Sequence, residues 1–156
     1  MSKKLVFAVA LCLMFALNPS QGESAVTPAE KAKESLEHYF QAWNTPDEAA
    51  RRAHLEAGWA ENATYTDPTA DVHGREALVK HIAGFLGNPA MKGYSIVRVT
   101  GIDVHHRSFR FSWEMRDPSG KTLTPGIDYG EFDDNGMITK IVGFFGPFPA
   151  MEAKAN

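Results

Sequence analysis

Apolar residues recur at spacings of three and four in three segments of the N-terminal half of the chain, and this period predicts three amphipathic helices. The first follows the capping box Thr27-Pro28-Ala29-Glu30 and runs to about Asn44. The same start signal recurs at Thr45-Pro46-Asp47-Glu48, so we expect the second helix to begin there and to end near Trp59. The third is predicted at 75–86, where Leu78, Ile82 and Phe85 face inward and Gly87 ends the helix.

After residue 94 the apolar positions alternate with polar ones, which predicts strands. A short strand at 63–67 precedes a turn-rich stretch at 68–74, and the later predicted strands are 94–100, 102–105, 107–115, 121–132 and 137–145. The clearest of them has one face with Phe109, Phe111, Trp113 and Met115. Asn135-Gly136 favours a tight hairpin between the last two strands. The pattern therefore predicts an α+β domain in which three N-terminal helices pack on one face of a curved, mostly antiparallel sheet.

Residues 1–24 have the pattern of a secretory signal peptide. Lys3 and Lys4 precede an apolar run at 5–17, which is too short for a permanent membrane anchor. Small residues between Ser20 and Val26 offer several cleavage sites. We therefore expect a periplasmic or secreted protein that has no membrane attachment after processing. Cys12 is the only cysteine, so the mature chain would have no thiol and no disulfide.

The chain that remains is long enough for one compact core, and we expect one domain at 27–149 with a frayed tail at 150–156. The formal net charge of the whole chain is -3, and removal of Lys3 and Lys4 makes it more negative. The sequence contains no basic stripe that could offset this charge. Nucleic acid is therefore excluded as a partner.

Four motifs, in this order, carry a resemblance to a known family. They are Trp59-Ala-Glu-Asn-Ala-Thr-Tyr-Thr-Asp67-Pro68, His73-Gly74 before a helix, Gly126-Ile127-Asp128, and Ile141-Val-Gly-Phe-Phe-Gly146. Together they resemble the SnoaL-like branch of the nuclear transport factor 2-like superfamily. The resemblance implies a cone of helices and curved sheet around a pocket for a small hydrophobic molecule. It also implies a homodimer formed between sheet faces, for which the face with Ser108, Arg110, Ser112 and Glu114 is the polar candidate.

Within that superfamily the chain is similar to ketosteroid isomerase at Tyr39, Asp67 and Asp128. The resemblance implies that Asp67 is the catalytic base, and that Tyr39 and a protonated Asp128 donate hydrogen bonds to the oxygen of an enolate. Partial burial is expected to make Asp67 more basic. Such chemistry needs neither a metal nor an organic cofactor. Further candidates for the pocket wall are His81, Phe85 and Trp113.

Each of these residues also has a structural interpretation. Asp67-Pro68 is a common turn former, and Tyr39 lies in an apolar helical stripe where a tyrosine is usually a core residue. An unpaired charge on Asp128 would be costly in a hydrophobic strand, so its carboxylate could instead pair with Lys140 or Arg110. His105-His106 is a poor metal site because consecutive strand side chains diverge.

Two classes of function therefore remain open. One is an isomerase, or an enzyme similar to the polyketide cyclases, that acts on a hydrophobic carbonyl compound. The other is a non-catalytic carrier or sensor that holds a small apolar ligand in the same pocket. A third interpretation is that the domain chiefly mediates self-association.

Overall fold

The computed structural model describes residues 26–151, so the predicted signal peptide at 1–24 and the tail from 152 onward lie outside the described residues. These residues contain three α-helices: α1 (Pro28–Trp43), α2 (Glu48–Gly58) and α3 (Arg75–Gly87). The seven strands are β1 (Trp59–Asp67), β2 (Ala70–His73), β3 (Ser95–Arg98), β4 (Asp103–His105), β5 (Ser108–Arg116), β6 (Thr122–Phe132) and β7 (Ile138–Phe145). A single 3-10 turn, Pro89–Met91, follows α3. No helix in this part of the chain is long and apolar enough to cross a membrane.

All strands form one curved sheet in the order β2-β1-β7-β6-β5-β3, and β4 pairs with β5 beside β3. Every pairing is antiparallel except that of β1 with β7. The predicted fold class is confirmed, since three helices cover one face of a mostly antiparallel sheet. Their packing follows from the alternation in β5, which directs its large apolar side chains toward the helices.

The core lies between the helices and the inner face of the sheet. Its fully buried side chains come from every layer and include Leu36, Leu55, Leu78, Ile82, Phe109 and Ile141. Gly130 is required for this packing, because a Cβ at that position would overlap the ring of Phe109 on the neighbouring strand. Hydrophobic burial of this kind is the main force that holds helices to a sheet.

The N-terminal caps of α1 and α2 differ, although the sequence has the same start signal at both. At α1, Thr27 Oγ1 accepts a hydrogen bond from the backbone N–H of Glu30, and the Glu30 carboxylate accepts one from the Thr27 N–H, so the capping box is confirmed. At α2 the cap is Asp47, whose side chain accepts from the Ala50 N–H at 2.8 Å. Thr45 cannot serve as the cap because its hydroxyl donates to the Gln41 carbonyl at the end of α1.

The first strand and the stretch after it differ from the prediction. β1 begins at Trp59 rather than at residue 63. The segment predicted as turn contains β2, which pairs with β1 from Asp67↔Ala70 to Thr64↔His73. The strand was overlooked because it has only four residues and directly follows the turn that begins at Asp67-Pro68, although Ala70 and Val72 alternate with polar residues.

Candidate functional site

A cavity of about 450 Å³ opens between the helices and the inner face of the sheet. Its wall includes all six residues that the sequence nominated: Tyr39, Asp67, His81, Phe85, Trp113 and Asp128. Most of the remaining wall is apolar, and it includes Phe40, Trp43, Met91, Ile96, Met115 and Phe145. Cavities of this size and character are typical of small-molecule sites.

Three different elements bring the candidate catalytic residues together. Tyr39 projects from α1, where its ring stacks on Trp59 at a centroid distance of 5.7 Å. Asp67 ends β1, and Asp128 lies in the middle of β6. Gly143 on β7 lies between the two carboxylates, since a Cβ there would be 3.0 Å from Asp128 Oδ1 and 3.6 Å from Asp67 Cβ. The absence of a side chain at this position leaves both carboxylates facing the same space.

Asp128 is almost fully buried, with 4% of its surface exposed. Its Oδ1 accepts a hydrogen bond from Trp113 Nε1 at 2.7 Å. Burial raises the pKa of Asp128 to about 7; the indole donor and the Tyr39 hydroxyl oppose this rise, while the negative charge of Asp67 adds to it. Near neutral pH the group therefore exchanges readily between a carboxylic acid, which can donate a hydrogen bond, and a carboxylate.

The alternative partners considered for Asp128 are wrong. Arg110 Nε donates to Asp103 at 2.8 Å, and Lys140 pairs with Glu131 at 3.5 Å. Both basic residues lie on the outer face of the sheet, whereas Asp128 points inward, as expected from the alternation of side chains along a strand. Within the described part of the chain, the hydrogen-bond partners of the buried carboxyl group are therefore all neutral.

Trp113 is placed against Asp128 by a small residue on the neighbouring strand. Gly126 is the registered partner of Trp113, and a Cβ at Gly126 would overlap the indole ring. The ring of Phe145 packs edge-on against the indole at 5.5 Å. Trp113 was nominated only as a wall residue, and the structure shows that it is also a hydrogen-bond donor to the candidate acid.

Tyr39 is buried, with 3% of its surface exposed. Burial raises the pKa of its hydroxyl well above the ordinary value, and the charges of Asp128 and of the other acidic neighbours contribute further. The group therefore remains a neutral donor across the physiological range. Its hydroxyl lies next to Asp128 and lowers the pKa of that carboxyl group, as expected for a donor to a carboxylate.

Asp67 has a different environment at the end of β1. Its Oδ2 accepts from the Tyr65 hydroxyl at 2.7 Å, and its Oδ1 accepts from the Thr69 N–H at 2.7 Å and the Thr69 hydroxyl at 2.8 Å. Burial alone would raise the pKa of Asp67, but these donors, together with the Ala70 N–H, outweigh burial and lower it. The expectation that partial burial makes Asp67 more basic is therefore wrong.

The family of this chain follows from its similarity to known domains. The family model of the SnoaL-like domain matches residues 36–141. The protein belongs to the SnoaL-like domain family. No curated protein matches the chain.

Solved structures agree with this assignment. A protein from Agrobacterium tumefaciens str. C58, named a "putative isomerase of the SnoaL-like family", is 29% identical over 75% of this chain and 98% of its own, with a TM-score of 0.68. A "putative SnoaL-like polyketide cyclase" from Jannaschia sp. CCS1 is 14% identical over 81% of this chain and 91% of its own, with a TM-score of 0.59. An NTF2-like protein of unknown function from Cytophaga hutchinsonii ATCC 33406 is 17% identical over 74% of this chain and 90% of its own, with a TM-score of 0.55. The last two show the fold alone.

Among the wall residues of this SnoaL-like domain that were not nominated from the sequence, Tyr65 and Trp43 lie next to nominated ones. Tyr65 precedes Asp67 by two positions, so the two side chains share one face of β1, and the strand period could have identified it. Trp43 contacts the rings of Tyr65, His81 and Phe85 at centroid distances of 5.6 to 5.8 Å. The helical stripe that contains Trp43 indicated core rather than cavity wall, and period alone cannot separate these two environments.

Four of the six histidines take three different positions. His81 is half-buried on α3, and its ring lies 5.5 Å from that of Tyr65 at the cavity wall. His73 ends β2 rather than lying in a loop. His105 ends β4 and His106 lies in the turn that follows, with ring planes nearly perpendicular. Residues 26–151 contain no group of three side chains suited to hold a metal ion.

Proposed function

We propose that this SnoaL-like protein is a cofactor-independent isomerase that moves a proton next to the carbonyl group of a hydrophobic substrate. One observation carries the proposal: the side chains of Tyr39, Asp67 and Asp128 line a single, mostly apolar cavity. Tyr39 is a neutral donor, Asp128 is a donor in its protonated form, and the lowered pKa of Asp67 favours its carboxylate. The isomerase name of the relative from Agrobacterium tumefaciens supports the same reaction class.

The proposed reaction has two proton transfers. The carbonyl oxygen of an unsaturated ketone accepts hydrogen bonds from the Tyr39 hydroxyl and from the protonated Asp128 carboxyl group. Asp67 takes a proton from the carbon next to the carbonyl, and the electron pair of the broken C–H bond moves onto the oxygen as a dienolate. Asp67 then returns the proton to the far carbon, so the double bond has moved and the enzyme is unchanged. Donors placed where the negative charge develops lower the barrier to the first step.

The lowered pKa of Asp67 affects which substrates are suitable. A carboxylate that already accepts three side-chain and backbone hydrogen bonds is a weak base, and it can remove only a proton that the carbonyl and its donors have strongly acidified. Protons between a carbonyl and a double bond fit this requirement. The hydrogen bonds also hold Asp67 in one orientation, which reduces the reorganisation needed during transfer.

The test uses variants that separate binding from turnover. Asp67→Asn keeps the size of the side chain but removes the proton acceptor, so turnover of a β,γ-unsaturated ketone should fall by about 10² or more while binding survives. Asp128→Asn keeps a hydrogen-bond donor and should reduce turnover less. Tyr39→Phe should cost at most a few kcal/mol of transition-state stabilisation. Ultraviolet absorbance follows turnover, and thermal shift reports binding.

A carrier or sensor of a small apolar ligand is the second candidate function. The observation in its favour is that both oxygens of Asp67 are engaged within the protein, as in a structural turn. The same variants separate the two candidates. If the parent protein binds unsaturated ketones but converts none of them, and Asp67→Asn binds equally well, the isomerase proposal fails and the carrier proposal stands.

We also propose a homodimer in which the outer faces of two sheets meet. This face has large exposed apolar side chains at Leu123, Tyr129 and Phe144, the last with 60% of its surface exposed. Beside them lies the predicted polar row of Ser108, Arg110, Ser112 and Glu114. Burial of this apolar surface would favour association. Phe144→Glu should halve the mass found by light scattering, whereas Phe148→Glu, a change at an exposed site outside the sheet, should not.

Export is the third part of the proposal. Lys3, Lys4 and the apolar run at 5–17 support removal of the N-terminus during secretion. Protein recovered from the periplasm or medium should have a mass that corresponds to cleavage between Ser20 and Val26. A variant that lacks residues 1–24 should remain inside the cell, and a full-length mass outside the cell would contradict the proposal.

A further inference from the structure

Two buried tryptophans of this chain differ in what the indole N–H contacts. Trp59 is fully buried, and its Nε1 has no hydrogen-bond partner in the described part of the chain. Trp113 Nε1 instead donates to Asp128 Oδ1 at 2.7 Å, and both of these side chains are buried. A donor so close to a buried carboxyl group interacts strongly with it, because water does not compete for either partner.

The neighbouring strands hold this indole against one oxygen of Asp128. A Cβ at Gly126 would lie 2.3 Å from two carbon atoms of the indole, so the ring fills a space that only a glycine leaves. Phe145 packs edge-on against the same ring. Asp128 Oδ1 also lies close to β7, because a Cβ at Gly143 would be 3.0 Å from it. The contact between the indole N–H and Oδ1 is therefore fixed by the packing of three strands.

An N–H donor distinguishes the two oxygens of a protonated carboxyl group. In the neutral acid one oxygen carries the hydrogen and donates, whereas the other is the carbonyl oxygen and accepts. The indole N–H can only donate, so the oxygen that it contacts has to accept. Oδ1 is therefore the carbonyl oxygen of neutral Asp128, and the proton belongs on Oδ2.

We infer that Trp113 is the positioning residue for the candidate acid, because its indole N–H occupies Oδ1 and leaves the proton of Asp128 on Oδ2 for donation to a ligand. This inference rests on the proposed function, from which it takes the role of Asp128 as a donor. It adds the atom that donates and the residue that selects this atom. Without the indole, a half-turn of the carboxyl group would exchange the two oxygens, and part of the molecules would present the wrong one.

Other titratable groups surround Asp128, so the test has to separate its proton from theirs. Tyr39 on α1 and two residues of β1, Asp67 and Tyr65, interact with its charge. His81 on α3 lines the same cavity. The variant Asp128→Asn keeps all of these groups and removes only the titration of Asp128.

The first measurement reads the hydrogen bond directly by NMR. In protein labelled with a nitrogen isotope, each of the three tryptophans gives one indole N–H resonance, and Trp113→Phe identifies that of Trp113 by its loss. Ionisation of Asp128 strengthens the hydrogen bond at Oδ1, so this resonance should move as the pH rises through about 7. The resonance of Trp59 should not follow this titration. An unmoved Trp113 resonance, or an equal movement in Asp128→Asn, overturns the inference.

The second measurement tests positioning through turnover. Trp113→Phe keeps an aromatic ring but removes the N–H, which lowers the pKa of Asp128 against the larger effect of burial. Its loss should raise that pKa and move the alkaline limb of kcat/KM to higher pH. At about pH 6, where Asp128 is mostly protonated in both proteins, kcat should fall about fivefold or more because fewer molecules present the O–H. Trp59→Phe, which shortens a buried indole without a partner, should leave the limb in place.

The outcomes distinguish this inference from the proposed function. If the alkaline limb stays in place in Trp113→Phe while the rate falls by the same factor at every pH, Trp113 has a structural role only and the isomerase proposal remains. An indole resonance that follows Asp128 in a protein that converts no ketone supports the position of the proton and contradicts catalysis. If Trp113→Phe does not fold, the comparison of the parent with Asp128→Asn still decides, because one indole resonance should lose its movement.

Discussion

Asp67 and Asp128 are identical side chains on either side of Gly143, yet their surroundings shift their proton affinities in opposite directions. Asp128 lies in the middle of the sheet, where burial dominates and one indole N–H is its direct donor at 2.7 Å. Asp67 lies where a strand turns, and the turn supplies backbone and hydroxyl donors at the carboxylate. Position along a strand, rather than residue type, therefore decides which carboxyl group has the raised pKa and which has the lowered one.

This difference separates the roles that proton transfer needs. Two carboxyl groups of equal pKa would both be ionised or both be protonated at most pH values. Here the ionised Asp67 also raises the pKa of Asp128, so the charge on one group helps to keep the proton on the other. Variants at Asp128, and at residues that contact the surroundings of either aspartate, test this difference in pKa.

The largest expected effect is a dependence of stability on pH that originates in Asp128. Its pKa is raised in the folded state from 3.8 to about 7, so the folded protein binds more protons than the unfolded chain between these values. Stability from this group is complete below pH 4 and is lost as the pH rises to about 7, by on the order of 3–4 kcal/mol. Urea unfolding from pH 4.5 to 8 would measure this loss.

The control for this measurement is Asp128→Asn, which cannot titrate. Every other titratable group is present in both proteins, so the difference between the two stability curves isolates Asp128. The contribution of Asp67 has the opposite sign, because its lowered pKa makes its stabilisation disappear only as the solution becomes more acidic. Parallel curves for the parent and Asp128→Asn would contradict the raised pKa of Asp128.

The next effect concerns Gly126, which makes room for the indole beside Asp128. Gly126→Ala should destabilise the protein by about 1–3 kcal/mol, because the added methyl group overlaps the ring of Trp113. Gly101→Ala is the matched control, since no atom of the described residues lies within 4 Å of its Cβ position. Denaturant unfolding measures both. If the two variants are equally stable, Trp113 is not held as tightly as the structure indicates.

Much of the fold was predictable because its signals are local. The capping box at Thr27 and the alternation from Phe109 to Met115 gave the type of each element and the direction of its apolar face. β2 was missed although Ala70 and Val72 alternate with polar residues and Val72 packs against the core, because the strand has only four residues and follows a turn. The apolar period therefore identifies long elements and overlooks a strand this short.

The site was less predictable, for a physical reason. The nomination of Asp67 and Asp128 came from a family resemblance, and their convergence on one cavity follows that resemblance. Their proton affinities depend on donors that the three-dimensional turn and the neighbouring strands supply, including Trp113 and the Thr69 N–H. No pattern along the chain states how many donors reach a carboxylate, and for this reason the expected basicity of Asp67 was wrong.

The smallest expected effect concerns Tyr65, whose hydroxyl donates a hydrogen bond to Asp67. Tyr65→Phe keeps the ring against Trp43 and His81 but removes the hydrogen bond to Asp67 Oδ2. The pKa of Asp67 should rise, because the lost donor favoured the ionised form. The acid limb of kcat/KM should therefore move to higher pH, while the rate at neutral pH changes by less than about threefold because Asp67 remains ionised there. Tyr129→Phe, which removes a hydroxyl on the outer face of the sheet, should leave the profile unchanged. An acid limb that stays in place after Tyr65→Phe would show that a group other than Asp67 limits the reaction at low pH.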